Sequence, residues 1–162
     1  MIHPLPLPSR GTPLKYLVPG WYTVVMGLAG LSLAWRAAEP MLGQAASTAA
    51  LAIGLAAALV FAALTVAAAL RGRRYPGAWA EDLMHPVRHT FVAAVPIALI
   101  LLVTCAVAAG LSGPLVQTLW WAGSVAQLFV TAWVLSRWWH GNQAGGLQWI
   151  SVTPALFIPI VG

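Results

Sequence analysis

The sequence predicts an all-α integral membrane protein, on three observations. Its 162 residues are 60% hydrophobic and only 7% charged, with mean hydropathy +0.84. A soluble domain carries about 25% charged residues, so eight basic and three acidic side chains cannot keep this surface in water. The charges are also separated by long apolar runs, and tryptophan clusters at the ends of those runs. The composition excludes an ordinary soluble enzyme, a disordered tail and a secreted disulfide scaffold. Cys105, the single cysteine, has no internal partner.

The runs define the elements in order. Residues 1–16 are a Pro-rich lead, with His3-Pro4-Leu5-Pro6-Leu7-Pro8 expected to be extended. A transmembrane region of residues 17–162 follows, with spans expected near 18–35, 48–70, 90–109 and 115–135 and a fifth opening at 149–162. Gly110-Leu111-Ser112-Gly113-Pro114 separates the third and fourth. The runs are Ala/Leu-rich, long and not alternating, which favours helices over barrel strands. Trp21, Trp35, Trp120, Trp121, Trp138, Trp139 and Trp149 fall at span ends, where an apolar ring with one N–H suits the headgroup layer.

Lysine and arginine set the expected orientation. Arg10, Lys15, Arg71, Arg73, Arg74, Arg88 and Arg137 fall on one side, and only Arg36 on the other. The positive-inside rule then predicts a cytoplasmic N-terminus in a plasma (inner) membrane protein. Nucleic acid is not an expected partner, because the basic residues lie within reach of the bilayer surface. Trp35-Arg36 does not match a small-residue cleavage site, so the first span is expected to be retained.

The spans alternate in character. The second and fourth contain no proline; the third contains Pro96, the fifth Pro154 and Pro159, and the first opens at Pro19-Gly20 and carries Gly27 and Gly30. Proline removes a backbone donor, so Pro96 is expected to free the Val92 carbonyl and Pro159 that of Ala155. Freed groups inside a bilayer need protein or water partners. The odd spans are therefore candidates to line a path, and the even spans to face lipid; helix packing is the competing reading. Gly54, Ala58 and Ala62 form a small-xxx-small stripe on the second span. Gln117, Ser124, Gln127 and Thr131 fall near one face of the fourth, as a polar lining or as hydrogen bonds between helices.

Catalytic chemistry is not legible. No span interior carries Asp, Glu, Lys, Arg or His, which argues against a pump or redox carrier in these spans. His85 and His89 share a possible helix face but have no further ligand nearby, so no metal site is expected. There is no glycine-rich phosphate loop or nucleophile elbow. The expectation is a protein that is not an enzyme and carries no cofactor.

Four segments resemble a known family. Pro19-Gly20-Trp21-Tyr22-Thr23, followed by Gly27 to Trp35, resembles the first helix of the tellurite-resistance/dicarboxylate transporter family, which embraces the bacterial TehA type, fungal malate permeases and plant slow anion channels. His85-Pro86-Val87-Arg88-His89-Thr90-Phe91, then Pro96, resembles the entry to its third helix. Gly123-Ser124-Val125-Ala126-Gln127-Leu128 resembles its fourth, and Thr153-Pro154-Ala155-Leu156-Phe157-Ile158-Pro159 the start of its fifth. The segments occur in family order from Pro19 almost to Gly162.

The resemblance implies the N-terminal half of a ten-helix bundle of hairpins around a pore, with kinked odd helices inside and even helices outside. It implies assembly as a homotrimer and movement of small anions such as chloride, nitrate, tellurite or a dicarboxylate such as malate. Helices six to ten, with the family's aromatic gate on the ninth, are then expected beyond this sequence. Where some relatives have a mid-helix proline in the first helix, this chain has Val24-Val25-Met26, leaving Gly27 as the soft point. The pore-lining or kink candidates are Thr23, Gly27, Gly30, Pro96, Thr104, Pro154 and Pro159. Thr23 and Thr104 offer hydroxyls, with bonding back to their own helix as the alternative. Arg88 is a candidate for concentrating anions at the cytoplasmic mouth, with a role in topology as the alternative. A small structural or regulatory membrane subunit without its own pore is the other functional reading.

Overall fold

The computed structural model describes residues 17–77, 80, 83 and 88–142, with side chains at 91–136 in the last of these stretches. The regular elements among the described residues are all helical. A 3-10 turn at Pro19–Trp21 leads into α1 (Tyr22–Ala37). A short α2 (Glu39–Leu42) joins it to α3 (Gln44–Arg74). A 3-10 segment at Arg88–Ala93 runs into α4 (Ala94–Ala108), and α5 spans Pro114–Asn142. The expected fifth span, Pro154 and Pro159 lie outside the described residues, as does the Pro-rich lead.

Among the described residues, three stretches are long and apolar enough to cross a membrane: Gln44–Arg74, Phe91–Ala108 and Pro114–Ser136. The first expected span is realised as the 3-10 turn plus α1, whose 16 residues cover about 24 Å at 1.5 Å per residue. The second and fourth helices run past their expected ends because nothing in the flanking sequence stops them. Gln44 to Ser47 and Arg71 to Arg74 continue α3, and arginines in its last turn favour the negative end of the helix dipole.

Cross-helix contacts fix the topology. The Tyr22 hydroxyl meets Thr65 Oγ1 at 3.2 Å, and the Ser32 hydroxyl donates to the Ala50 carbonyl at 2.7 Å. The start of α1 therefore lies beside the end of α3, and the pair is antiparallel. Thr65 already donates to Phe61 at 2.8 Å, so the Tyr22 hydroxyl is the donor in their contact. Phe91 packs near Gly20, and the Cys105 thiol donates to the Ala29 carbonyl at 3.4 Å, so α4 runs parallel to α1. Reversal at Gly110–Gly113 sends α5 back along α4. Leu111 N–H bonds the Ala106 carbonyl and Gly110 N–H that of Val107, with Gly110 at φ +89°. This pair of bonds around a left-handed glycine is a Schellman closure, and Pro114 starts the next helix where its missing N–H costs nothing.

The helices meet in a core of Tyr22, Val25, Ala57, Ala94 and Ala98, with Phe61 edge-on to Tyr22 at 5.4 Å. Lipid is as apolar as these side chains, so close packing and polar contacts between helices hold the bundle. The close-packed stripe of α3 differs from the expected one. Ala46, Ala50 and Ala57 are buried and Gly54 faces Ser32, whereas Ala58 and Ala62 are exposed. Ser32 determines this choice, because a Cβ at position 54 would stand 3.0 Å from its hydroxyl oxygen. Replacing Ser32 with alanine removes a buried interhelical bond, with an expected stability loss of about 0.5–1.5 kcal/mol by thermal unfolding in detergent.

Candidate functional site

The arrangement separates two kinds of helix. α1 packs on both α3 and α4, and α4 packs on both α1 and α5. The odd spans thus form the middle of the layer, and the even spans, α3 and α5, flank it. Leu51, Leu55, Leu59 and Val66 of α3 are exposed, as are Leu115, Val125, Leu128 and Phe129 of α5. Bulky apolar faces of this kind are what lipid requires.

α1 has a different open face. It buries Tyr22, Val25, Ala29 and Ser32 against its neighbours. On the opposite side Thr23, Gly27, Gly30 and Ala34 recur at spacings of four, three and four, and all four are exposed. A Cβ at Gly27 or Gly30 would meet nothing within 4 Å. The structure therefore brings three of the sequence candidates together on a smooth stripe that takes no part in packing. Ala34 is the member the sequence reading missed; its four-residue step from Gly30 was the signal. Trp21, Trp35, Val24 and Leu31 border the stripe.

The remaining candidates are placed as follows. Pro96 is buried and is the third residue of α4, where helical N–H groups have no partner four residues back. It thus breaks no bond of its own helix; the chain accommodates it by passing from 3-10 at Arg88–Ala93 to α just before it. Thr104 is exposed on α4, apart from the core. Both threonines bond back to the preceding turn of backbone, Thr23 to Gly20 of the 3-10 turn at 2.7 Å and Thr104 to Ile100 of α4 at 2.9 Å. Their protons are committed there, which leaves the hydroxyl oxygens facing outward. On α5, Gln127 is buried and donates to Thr131 at 3.3 Å, while Gln117 is exposed.

Charge divides between the two ends of the layer. Arg71, Arg73, Arg74 and the backbone of Arg88 lie at the end where α1 begins. Arg36 lies at the opposite end, paired with Glu39 at 3.0 Å. Among the described residues, the layer thus has a basic end, a nearly neutral end and no charged side chain on the helices between.

Residues 16–162 match the voltage-dependent anion channel family. The chain belongs to that family. It is also similar to the tellurite resistance protein TehA homolog of Haemophilus influenzae, at 28% identity over 159 residues. That alignment covers 98% of this chain and 43% of the relative, so the chain spans less than half the length of the curated relative it matches. Membership in an anion-channel family and the helical layer agree on a multi-pass membrane protein.

Proposed function

We propose that this chain contributes the first helices of an anion channel or transporter, with the open face of α1 lining the path. The observation that carries the reading is the stripe Thr23, Gly27, Gly30 and Ala34, smooth and unpacked on a helix that is otherwise held on two sides. The substrates are small anions: chloride, nitrate, tellurite or a dicarboxylate such as malate. The work is passage rather than catalysis, and no cofactor takes part. The path carries no fixed charge inside it, and the positive field of the arginines at its mouth favours anions over cations. The assembly is a homotrimer in the plasma membrane, with the basic end of the layer, and hence the N-terminus, in the cytoplasm. The asymmetry of Arg71, Arg73, Arg74 and Arg88 against Arg36 supports that orientation.

Anion efflux from liposomes containing the full-length protein tests the reading. Efflux above protein-free vesicles is expected; none for chloride, nitrate, tellurite or malate would overturn it. In the same assay Arg88→Gln lowers the flux at low ionic strength, and the difference shrinks as salt screens the mouth. Unchanged flux and unchanged salt dependence would remove Arg88 from the mechanism and leave it to topology.

A further inference from the structure

An apolar cleft of about 250 Å³ opens near the Arg36 end of the layer, between α1, α3 and α4. Its apolar wall includes Leu51, Leu55, Ala58, Leu102, Ala106 and Leu111. Leu51, Leu55 and Ala58 are also exposed on α3, so the cleft opens onto the same surface as the lipid-type leucine face. A water molecule takes about 30 Å³ of liquid and needs two to four polar partners, so water filling this volume would need many polar groups. The polar side chains on the wall are Ser32, Cys105 and Arg36. Ser32 and Cys105 spend their protons on the Ala50 and Ala29 carbonyls. The cleft is therefore shaped for an apolar occupant.

Charge at the rim says which one. Arg36 lines the cleft and pairs with Glu39 at 3.0 Å through a single guanidinium nitrogen. The other N–H groups of that guanidinium remain able to take a phosphate, and the Glu39 carboxylate keeps acceptor capacity for an ammonium group. A positive and a negative group side by side above an apolar slot complement a zwitterionic headgroup above an acyl chain. We propose that this cleft binds one phosphatidylethanolamine molecule, its phosphate on Arg36, its ammonium by Glu39 and one acyl chain against Ala58 and Ala106. The tail gains little by moving from bilayer to cleft, so the headgroup pair supplies the selectivity.

The test is lipid retention. The full-length protein is equilibrated with an equal mixture of phosphatidylethanolamine and phosphatidylglycerol, stripped with mild detergent, and its retained lipid measured by mass spectrometry. The wild type is expected to retain phosphatidylethanolamine in preference. Arg36→Gln loses about tenfold of that retention, the change expected for one charge-assisted hydrogen bond. Ala58→Phe fills the slot from an exposed position and abolishes retention with an unchanged melting temperature. Equal retention in all three proteins, preference for phosphatidylglycerol, or no retained lipid in the wild type would each overturn the proposal; the last would show the cleft covered by protein.

Discussion

Gly30→Phe is expected to reduce anion flux through the full-length protein by about an order of magnitude or more while leaving its melting temperature unchanged. Nothing lies within 4 Å of a Cβ at Gly30, so the ring meets no resistance from α3 or α4 and the fold has no reason to yield. The same open space is the proposed path of the anion, and an aromatic ring there obstructs it. Gly27→Phe, one turn away on the same stripe, behaves alike. A matched bulky change on the leucine face, Leu59→Phe, leaves flux intact, because that side chain is exposed on α3, outside the α1 stripe. Flux by ion-selective electrode, with thermal unfolding on the same preparations, checks all three.

The largest effect on stability is expected at Gly123, for the opposite reason. A Cβ there would stand 2.9 Å from Ile100 Cγ1 and 3.6 Å from Leu99 Cδ2, across the contact between α4 and α5. Ile100 cannot swing aside, because a β-branched side chain in a helix has essentially one rotamer, and Cγ1 sits close to the backbone. Gly123→Ala therefore forces the helices apart, at a cost of about 1–3 kcal/mol, and Gly123→Val costs more. Adding Ile100→Ala to Gly123→Ala restores much of the loss, since the offending atom is then gone. Melting temperatures of the two singles and the double give the coupling, and purely additive losses would show that the contact is not the cause.

Much of this was legible in the sequence. Long uncharged runs located the helices, since a bilayer accepts no other spanning backbone here, and Gly110 and Pro114 marked the reversal. The position of Pro96 relative to its helix was not legible. A proline reads as a kink only if the helix begins well before it, and the 3-10 segment at Arg88–Ala93 starts the α-helix only two residues earlier. The packing stripe of α3 was misread for a related reason. Gly54-Ala58-Ala62 and Ala46-Ala50-Gly54 are equal as sequence patterns, and the hydroxyl of Ser32 on another helix decides between them. Thr23, Gly27 and Gly30 were singled out one by one; their union on one unpacked face required knowing which side of α1 the neighbours occupy. The cleft at Arg36 had no local signature, because its walls come from three helices.

Cysteine accessibility tests the central claim most directly. Single cysteines at positions 23, 27, 30 and 34, and at 51, 55 and 59, are placed in a Cys105→Ala background of the full-length protein. They are then exposed in membranes to a charged, membrane-impermeant thiol reagent. Rapid labelling along the α1 stripe, slowed by a permeant anion, is expected, with negligible labelling along the leucines of α3. Labelling confined to α3, or an α1 stripe as inert as the leucine face, would contradict it.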